Sequence, residues 1–290
     1  MADADHLRRL IRTTQLTDRE VRKVMRDAAA EADRIVRSLE GVSGPGARLR
    51  SAQAALAKMQ IEAWAGVKDA VVVGVGDSFD ATAEMQALFD QKLMRAAGIR
   101  PSFWRQSMLA QARAGIDSFI ARRENNYTLS QRVYRNRALS QGHVEKAINN
   151  GLLLGKSARE MAKDVKRFID PSTPGGASYA AMRLGRTEIQ NAFHFNAVKQ
   201  YQESPWVERV LWTLSGSHPE PDECNEYAES VHFNGGRAGE FRPDDLPAKP
   251  HPQCLCYTDP VAIDLDEYAK RFHAGEYDDY IDKQMGCERG

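Results

Sequence analysis

The sequence predicts an α+β fold, with an extended, mostly α-helical N-terminal region followed by a small, loop-rich α+β C-terminal domain. Three observations lead to this prediction. Apolar residues recur at helical spacing through the first 170 residues. The Pro/Gly-rich segment "DPSTPGG" follows them, and strand-like alternation begins only with "WVERVLWTL". We therefore predict a helical, basic arm over 1–170 and a second domain over 171–290.

The overall composition is that of a globular protein. The chain has 290 residues, of which 42% are apolar and 28% charged, so it has enough apolar material to form a core. It has no run of eighteen apolar residues, and its first stretch, "MADADHLRRLIRTTQL", lacks the apolar centre of a secretory signal. We therefore expect synthesis in a cytoplasm and no membrane partner.

Capping patterns and glycine-rich breaks divide the N-terminal region into helices. Thr17 with Glu20 three residues later is a capping-box pattern, which predicts a helix start there. Breaks are predicted at 41–46, near 74–78 and at 98–101, where glycine or proline accumulates. The elements between these breaks are expected to form helical hairpins.

Two glycine-rich stretches resemble nucleotide-binding loops but lack the required spacing. In "VVVGVGDSF", Phe79 occupies the third glycine position of the dinucleotide-binding pattern, so a helix break is the preferred interpretation. "GLLLGKS" is one residue too short for a phosphate-binding loop. Ser157 and Glu160 instead form a capping-box pattern, which predicts a helix start.

The C-terminal domain is predicted to begin with one more helix, "ASYAAMRLGRTEIQNAFHFNAVKQYQ". The strand "WVERVLWTL" follows, and short strands are expected near 231–233 and 255–258. A last helix is predicted to start near Asp264, before an acidic tail. A unit with so few core residues generally needs a disulfide or a metal to hold it.

The charge is strongly polarised along the chain. Residues 1–200 hold 32 Lys+Arg and 21 Asp+Glu, a net +11, whereas residues 201–290 hold 8 and 19, a net −11. A basic helical region can bind nucleic acid or an acidic partner. The alternative is that these helices simply have solvated basic faces.

Three of the four cysteines and two histidines lie within 39 residues, at His218, Cys224, His251, Cys254 and Cys256. Thiolates and imidazoles are the usual ligands of zinc, and three cysteines with one histidine form a closed, structural site. Because the strong C-x-x-C…C-x-x-C pattern is missing, the spacing alone does not establish a metal. One structural zinc ion is the cofactor that we expect.

Other interpretations of the cluster stay open. Cys224 can form a disulfide with Cys254 or Cys256, although a reducing cytoplasm disfavours it. The cysteines can also be small core residues, with the histidines bonding to loop backbone. A catalytic site is a further alternative, with a zinc ion or a cysteine nucleophile beside His251. Its acids would come from Glu220, Asp222, Glu223 and Glu226. Cys287 is expected to be a free thiol.

The segments "RLGRTEIQNAFHFNAVKQY", "HPEPDEC" and "LPAKPHPQCLC" resemble the Mu F-like head morphogenesis family of bacteriophage minor head proteins. The resemblance covers about residues 150–260. The matching positions are Arg186, Thr187, Glu188, Asn191, Trp212, Asp222, Cys224, His251, Pro252, Cys254 and Cys256. The chain departs from the family pattern at Leu255, where many relatives have arginine. It also has only Cys224 in the first arm, where His218 can replace a second thiol.

The resemblance implies a structural, non-enzymatic role in the head of a tailed bacteriophage. The expected location is the virion, inside the capsid near the portal, and the host cytoplasm during assembly. The implied partners are the portal protein, the major capsid or scaffold protein, and phage DNA through the basic helical region. The alternatives are a zinc-dependent hydrolase or nuclease using His218, His251 and the cysteines, and a stand-alone DNA-binding protein.

Overall fold

A computed structural model describes residues 3–40, 46–100, 104–216, 218 and 221–285. The α+β class is confirmed, because the N-terminal part is helical and a small sheet lies near the C-terminus. The helices are α1 Asp3–Arg37, α2 Ala47–Ala96, α3 Trp104–Ala114, α4 Ile116–Ala121, α5 Leu129–Leu153, α6 Ala158–Ile169, α7 Ala177–Glu203, α8 Glu223–Glu229, α9 Leu265–His273 and α10 Asp278–Met285. The strands are β1 Val207–Thr213, β2 Glu240–Phe241 and β3 Tyr257–Ala262.

The chain forms two compact units, each assembled from separate segments. Unit 1 comprises 1–14, 75–119 and 187–290, and unit 2 comprises 15–74 and 120–186. Helices α1, α2 and α7 each contribute residues to both units. The division at residue 170 describes sequence character and stays a prediction, because these units follow spatial contact rather than chain order.

Two predicted helix boundaries in the N-terminal region are wrong. Helix α1 runs through Thr17, which is a buried helical residue and not an N-cap. Helix α2 continues through 74–78 without a break. Val71, Val75 and Phe79 follow one another at four-residue spacing and are fully buried. Burying such side chains stabilises the fold by more than the roughly 1 kcal/mol that a glycine within a helix costs.

Side-chain caps begin the two helices that follow α4. Thr128 and Gln131 form a capping box at the start of α5, and Ser157 and Glu160 form one at the start of α6. The second of these confirms the predicted helix start in "GLLLGKS". Each box satisfies two backbone N–H groups that would otherwise lack partners. Helices α5 and α6 pack against each other within unit 2.

A three-stranded antiparallel sheet in the order β2-β1-β3 supports the C-terminal part of unit 1. The central strand β1 confirms the strand predicted from "WVERVLWTL". The strand expected near 231–233 is wrong, since these residues lie in a loop and Glu240–Phe241 pairs with β1 instead. β3 begins at Tyr257, within the stretch 255–258 where a strand was expected.

Helices α9 and α10 follow the sheet. Asp264 caps α9 by accepting hydrogen bonds from the backbone N–H groups of Asp266 and Glu267, which confirms the predicted start. The following stretch, expected to be only an acidic tail, contains α10. Its Tyr280 packs edge-on against Trp206, with ring centroids 5.0 Å apart, so this part of the tail belongs to the core of unit 1.

A buried carboxylate connects three parts of unit 1. Asp90 on α2 is fully buried and accepts hydrogen bonds from Gln86 Nε2 at 2.8 Å, Trp104 Nε1 at 3.0 Å and Trp206 Nε1 at 2.8 Å. Burial raises the pKa of Asp90 to about 7, while the three donors partly offset this rise. Within the described ranges, none of the helices has the length and apolar character required to cross a membrane.

Candidate metal centre

The first arm of the cysteine–histidine cluster is positioned by helix α8. Asp222 is the N-cap, and its Oδ1 accepts a hydrogen bond from the backbone N–H of Cys224 at 2.7 Å. Asn225 completes the capping box by accepting from the Asp222 N–H at 3.1 Å. The cap therefore fixes Cys224 in the first turn of α8, where its side chain is completely buried.

The second arm is the loop that enters β3. Gln253 in this loop has a φ of 61°, a left-handed conformation that is uncommon for a residue other than glycine. Cys254 and Cys256 follow on either side of Leu255, and both are buried. The unusual backbone at Gln253 therefore lies at the point where the loop turns its two cysteines into the interior.

The two arms bring three sulfur atoms together. Cys224 Sγ lies 3.4 Å from Cys254 Sγ, and the sulfurs of Cys224, Cys254 and Cys256 all lie within 4.8 Å of one another. All three are free thiols, so neither of the alternative disulfides is formed. They pack with Trp212 and Phe241 in one buried cluster. Cys287 lies outside the described residues.

His251 lies beside Cys224 at the more exposed edge of the cluster. Its Nε2 is 3.5 Å from Cys224 Sγ and 3.0 Å from Asp222 Oδ2. Its Nδ1 lies 3.2 Å from the carbonyl oxygen of Pro252. Asp222, Cys224 and His251 form a second group of close potential ligand atoms, which shares Cys224 with the first.

His218 lies beside Cys256, the cysteine at the far end of the second arm. Its Nδ1 is 3.8 Å from Cys256 Sγ, and its Nε2 is 2.7 Å from Asn225 Oδ1. The hydrogen bond to Asn225 raises the pKa of His218, and Cys256 and Asp222 add to the rise. The same hydrogen bond orients the imidazole ring. When the Nε2–H of His218 donates to Asn225 Oδ1, Nδ1 faces the sulfur of Cys256.

The three thiols affect one another's ionisation. Hydrogen bonds from Cys224 and Cys254 lower the pKa of Cys256, while burial opposes this fall. Hydrogen bonding to Cys254 is the main cause that raises the pKa of Cys224. Hydrogen bonding to Cys256 and burial raise it further. Like charges at such short distances repel, so all three sulfurs can ionise together only around a positive ion.

One neighbour of the sulfurs was missed by the sequence reasoning. Lys249 Nζ lies 4.0 Å from Cys254 Sγ and 5.3 Å from the centre of the Trp212 ring. Burial lowers the pKa of Lys249, and the three nearby thiol groups oppose this effect. Its place two residues before His251 is the only signal in the sequence, and lysines are too common in loops for that spacing to be informative.

The remaining motif residues lie in structural positions. Trp212 on β1 is buried and packs edge-on against His194 and Tyr227. Arg186 on α7 donates to Asp18 from Nε at 2.8 Å and from Nη2 at 2.5 Å. The other family positions on α7 are Thr187 and Asn191, which are half-buried, and Glu188, which is buried.

The donor set fits a metal ion. Cys224, Cys254 and Cys256 are buried sulfur ligands that can hold one ion, with an imidazole within reach of Cys224 and another within reach of Cys256. Soft sulfur donors with imidazole are the set that zinc prefers, and three buried thiolates leave little room for a substrate. Glu220 lies outside the described residues, and Glu223 and Glu226 flank Cys224 on α8.

Comparisons with protein-family models, with curated proteins and with solved structures each give no match. The resemblance to the Mu F-like family therefore rests on the motif residues alone.

Proposed function

We propose that the chain is a structural head morphogenesis protein of a tailed bacteriophage. We also propose that one zinc ion stabilises its C-terminal lobe, by which we mean the three-stranded sheet, helix α8 and the loop before β3. The observation that carries the zinc proposal is the meeting of three buried cysteine sulfurs from arms about thirty residues apart. The resemblance of these same positions to the Mu F-like family supports the role in the head.

We assign three zinc ligands to Cys224, Cys254 and Cys256, and the fourth to His251, whose Nε2 is close to Cys224 but does not lie within 4.8 Å of all three sulfurs. With Zn–S near 2.3 Å and Zn–N near 2.0 Å, the edge of a tetrahedron between sulfur and nitrogen is about 3.5 Å. The distance from Cys224 Sγ to His251 Nε2 is 3.5 Å. The corresponding edge between two sulfurs is about 3.8 Å, close to the 3.4 Å between Cys224 and Cys254. His218 is the alternative fourth ligand.

A structural role agrees with the surroundings of the cluster. The sulfurs lie at the junction of α8, the β1 strand that carries Trp212, and the loop entering β3. A metal at this junction would crosslink elements that few apolar side chains hold together, and zinc binding would then contribute directly to the folding of the lobe. Such a lobe could present a stable surface to the portal or to capsid subunits.

The zinc proposal is tested by metal analysis of the purified protein. We expect one zinc per chain in the wild type and in Cys287→Ser, which makes the same chemical change at the thiol predicted to be free. Cys254→Ser should lose most of the zinc and lower the melting temperature of the lobe. Zinc-free wild-type protein with an unchanged melting temperature after chelator treatment would contradict the proposal.

The role in the head requires a separate experiment. We expect the chain to co-purify with portal rings when both are produced together from the same phage, and to be present in purified virions. Its absence from virions and from portal rings would contradict the head assignment while leaving the zinc result unaffected. A nuclease assay with and without chelator separates this role from the hydrolase alternative, which predicts metal-dependent cleavage.

A further inference from the structure

Charge is divided between the two compact units. Unit 2 holds 23 Lys+Arg and 13 Asp+Glu, a net +10, and unit 1 holds 17 and 27, a net −10. Residues 120–186 account for most of the excess in unit 2, with 13 Lys+Arg and 5 Asp+Glu. A surface with this excess attracts polyanions and concentrates them before any specific contact forms.

A rigid turn projects an aromatic side chain at the start of this basic segment. The backbones of Glu124 and Tyr127 exchange two hydrogen bonds of 3.0 Å, and the two residues between them have positive φ, 50° at Asn125 and 68° at Asn126. Asparagine tolerates this conformation better than most residues, and two such residues in succession make a tight hairpin turn. The position of Tyr127 is therefore fixed by backbone structure.

Ion pairs attach the same turn to helix α5. Glu124 accepts from Arg122 at 3.1 Å and from Arg132 at 2.9 Å. Arg132 lies on the first turn of α5, so the turn and the helix are joined by a shared carboxylate. This arrangement holds the exposed side chains of the turn and of the helix at a fixed separation.

Two tyrosine–arginine pairs lie at this turn and on α5, in which Arg135 is exposed and Arg137 is half-buried. The Arg135 guanidinium lies 4.3 Å from the ring centre of Tyr127, and the Arg137 guanidinium lies 4.6 Å from that of Tyr134. Tyr134 is 59% exposed and Tyr127 is 37% exposed. A guanidinium can cover only one face of an aromatic ring, which leaves the other face for a second contact.

We propose that these four residues, Tyr127, Tyr134, Arg135 and Arg137, form a patch that binds single-stranded nucleic acid. The arginines contact phosphates, and the open faces of the tyrosine rings stack on unpaired bases. Exposed rings beside guanidinium groups are the arrangement used by proteins that bind single strands without sequence preference. A duplex offers only its phosphates to such a patch, because its base faces are already stacked. This inference does not depend on the zinc site, whose residues belong to the other unit.

The experiment measures fluorescence anisotropy of a labelled thymidine homopolymer of about 20 nucleotides, long enough for several stacked bases. The full chain is titrated between about 50 and 200 mM salt, and a duplex of equal length is measured in parallel. The variants are Tyr134→Ala, Tyr134→Phe and Arg135→Ala. The control is Lys146→Ala, which removes an exposed positive charge from the same helix at a distance from the patch.

We expect the wild type to bind the single strand more tightly than the duplex, with affinity that falls as salt rises. Tyr134→Ala should weaken binding by about fivefold or more, while Tyr134→Phe retains it, because stacking requires the ring and not the hydroxyl. Arg135→Ala should weaken binding and reduce its salt dependence, and Lys146→Ala should have the smaller effect. Equal affinities of wild type and Tyr134→Ala, a preference for duplex, or no binding at low salt would each overturn the proposal.

Discussion

Cys224 Sγ and His251 Nε2 lie 3.5 Å apart, although 27 residues separate them in the chain. The N-cap of α8 fixes the cysteine, and the loop before β3 delivers the histidine. Neither group needs the other for its local backbone structure. Their proximity therefore results from the packing of the two arms. Whether His251 or His218 is the fourth zinc ligand can be tested directly.

His251→Ala is expected to weaken zinc binding more than His218→Ala does. The first change removes the fourth ligand that we assign, and loss of a zinc ligand greatly reduces the affinity of a closed site. The second leaves all four assigned ligands in place. Competition with a chromophoric chelator measures both affinities, and the two variants serve as mutual controls. A larger loss of zinc affinity for His218→Ala would show that His218, and not His251, is the fourth zinc ligand.

The stability of unit 1 is expected to depend on the ionisation of Asp90. Its pKa in the folded state, about 7, is above the usual value of 3.8, so the folded protein binds the proton more tightly than the unfolded chain does. The contribution of this group to the free energy of unfolding is therefore largest at low pH. It declines as pH rises from about 4 to about 7, by roughly 4 kcal/mol in the limit of a fully buried group.

Comparison of the wild type with Asp90→Asn isolates this effect from other carboxylates. Asparagine does not titrate, so the free energy of unfolding of the wild type, measured relative to that of Asp90→Asn, should fall from pH 5 to pH 8. The side-chain NH2 of the asparagine would also face an N–H donor that Asp90 accepts. This lost hydrogen bond should lower the free energy of unfolding by about 1–3 kcal/mol. Urea unfolding followed by tryptophan fluorescence reports on Trp104 and Trp206, which contact this carboxylate. A difference that stays constant with pH would refute the assignment.

The sequence was sufficient for the type of most elements but not for all of their ends. Periodic apolar residues identify the helices, and the capping pattern at Ser157 locates a true helix start. The expected break at 74–78 failed because glycine propensity is a local quantity, whereas Val75 and Phe79 are held by burial against distant residues. The capping-box pattern at Thr17 occurs inside a longer helix for the same reason.

The candidate metal centre was predictable in its ligands but not in its surroundings. The sequence shows directly that three of the four cysteines, Cys224, Cys254 and Cys256, lie close together along the chain. The contact of Lys249 with Cys254 depends on the path of a loop, which spacing does not encode. Asp90 was also missed, because an aspartate in a helical pattern is expected to face solvent unless tertiary packing encloses it.

The ion pair between Arg186 and Asp18 is expected to contribute measurably to the stability of unit 2. Two guanidinium nitrogens reach the same carboxylate, and both side chains are less than one-third exposed. A double-mutant cycle with alanine should give a coupling of about 1 kcal/mol, at the upper end for partly exposed pairs. Lys58 and Glu62, 3.8 Å apart and largely exposed, provide the matched control, for which we expect a coupling near zero. Equal couplings would show that burial does not strengthen the first pair.

Two glycines in unit 2 are expected to respond in opposite ways to alanine. A Cβ at Gly176 would collide with the carbonyl oxygen of Phe168, a backbone atom that cannot move without distorting the end of α6. Gly176→Ala should therefore lower the free energy of unfolding by about 2 kcal/mol or more. Gly142 lies inside α5, where an added Cβ would meet no neighbouring group within 4 Å, so alanine there should add about 0.5–1 kcal/mol of helix stability. Chemical denaturation of both variants, followed by far-ultraviolet circular dichroism, measures the pair. A destabilised Gly142→Ala would contradict the expected gain in helix stability.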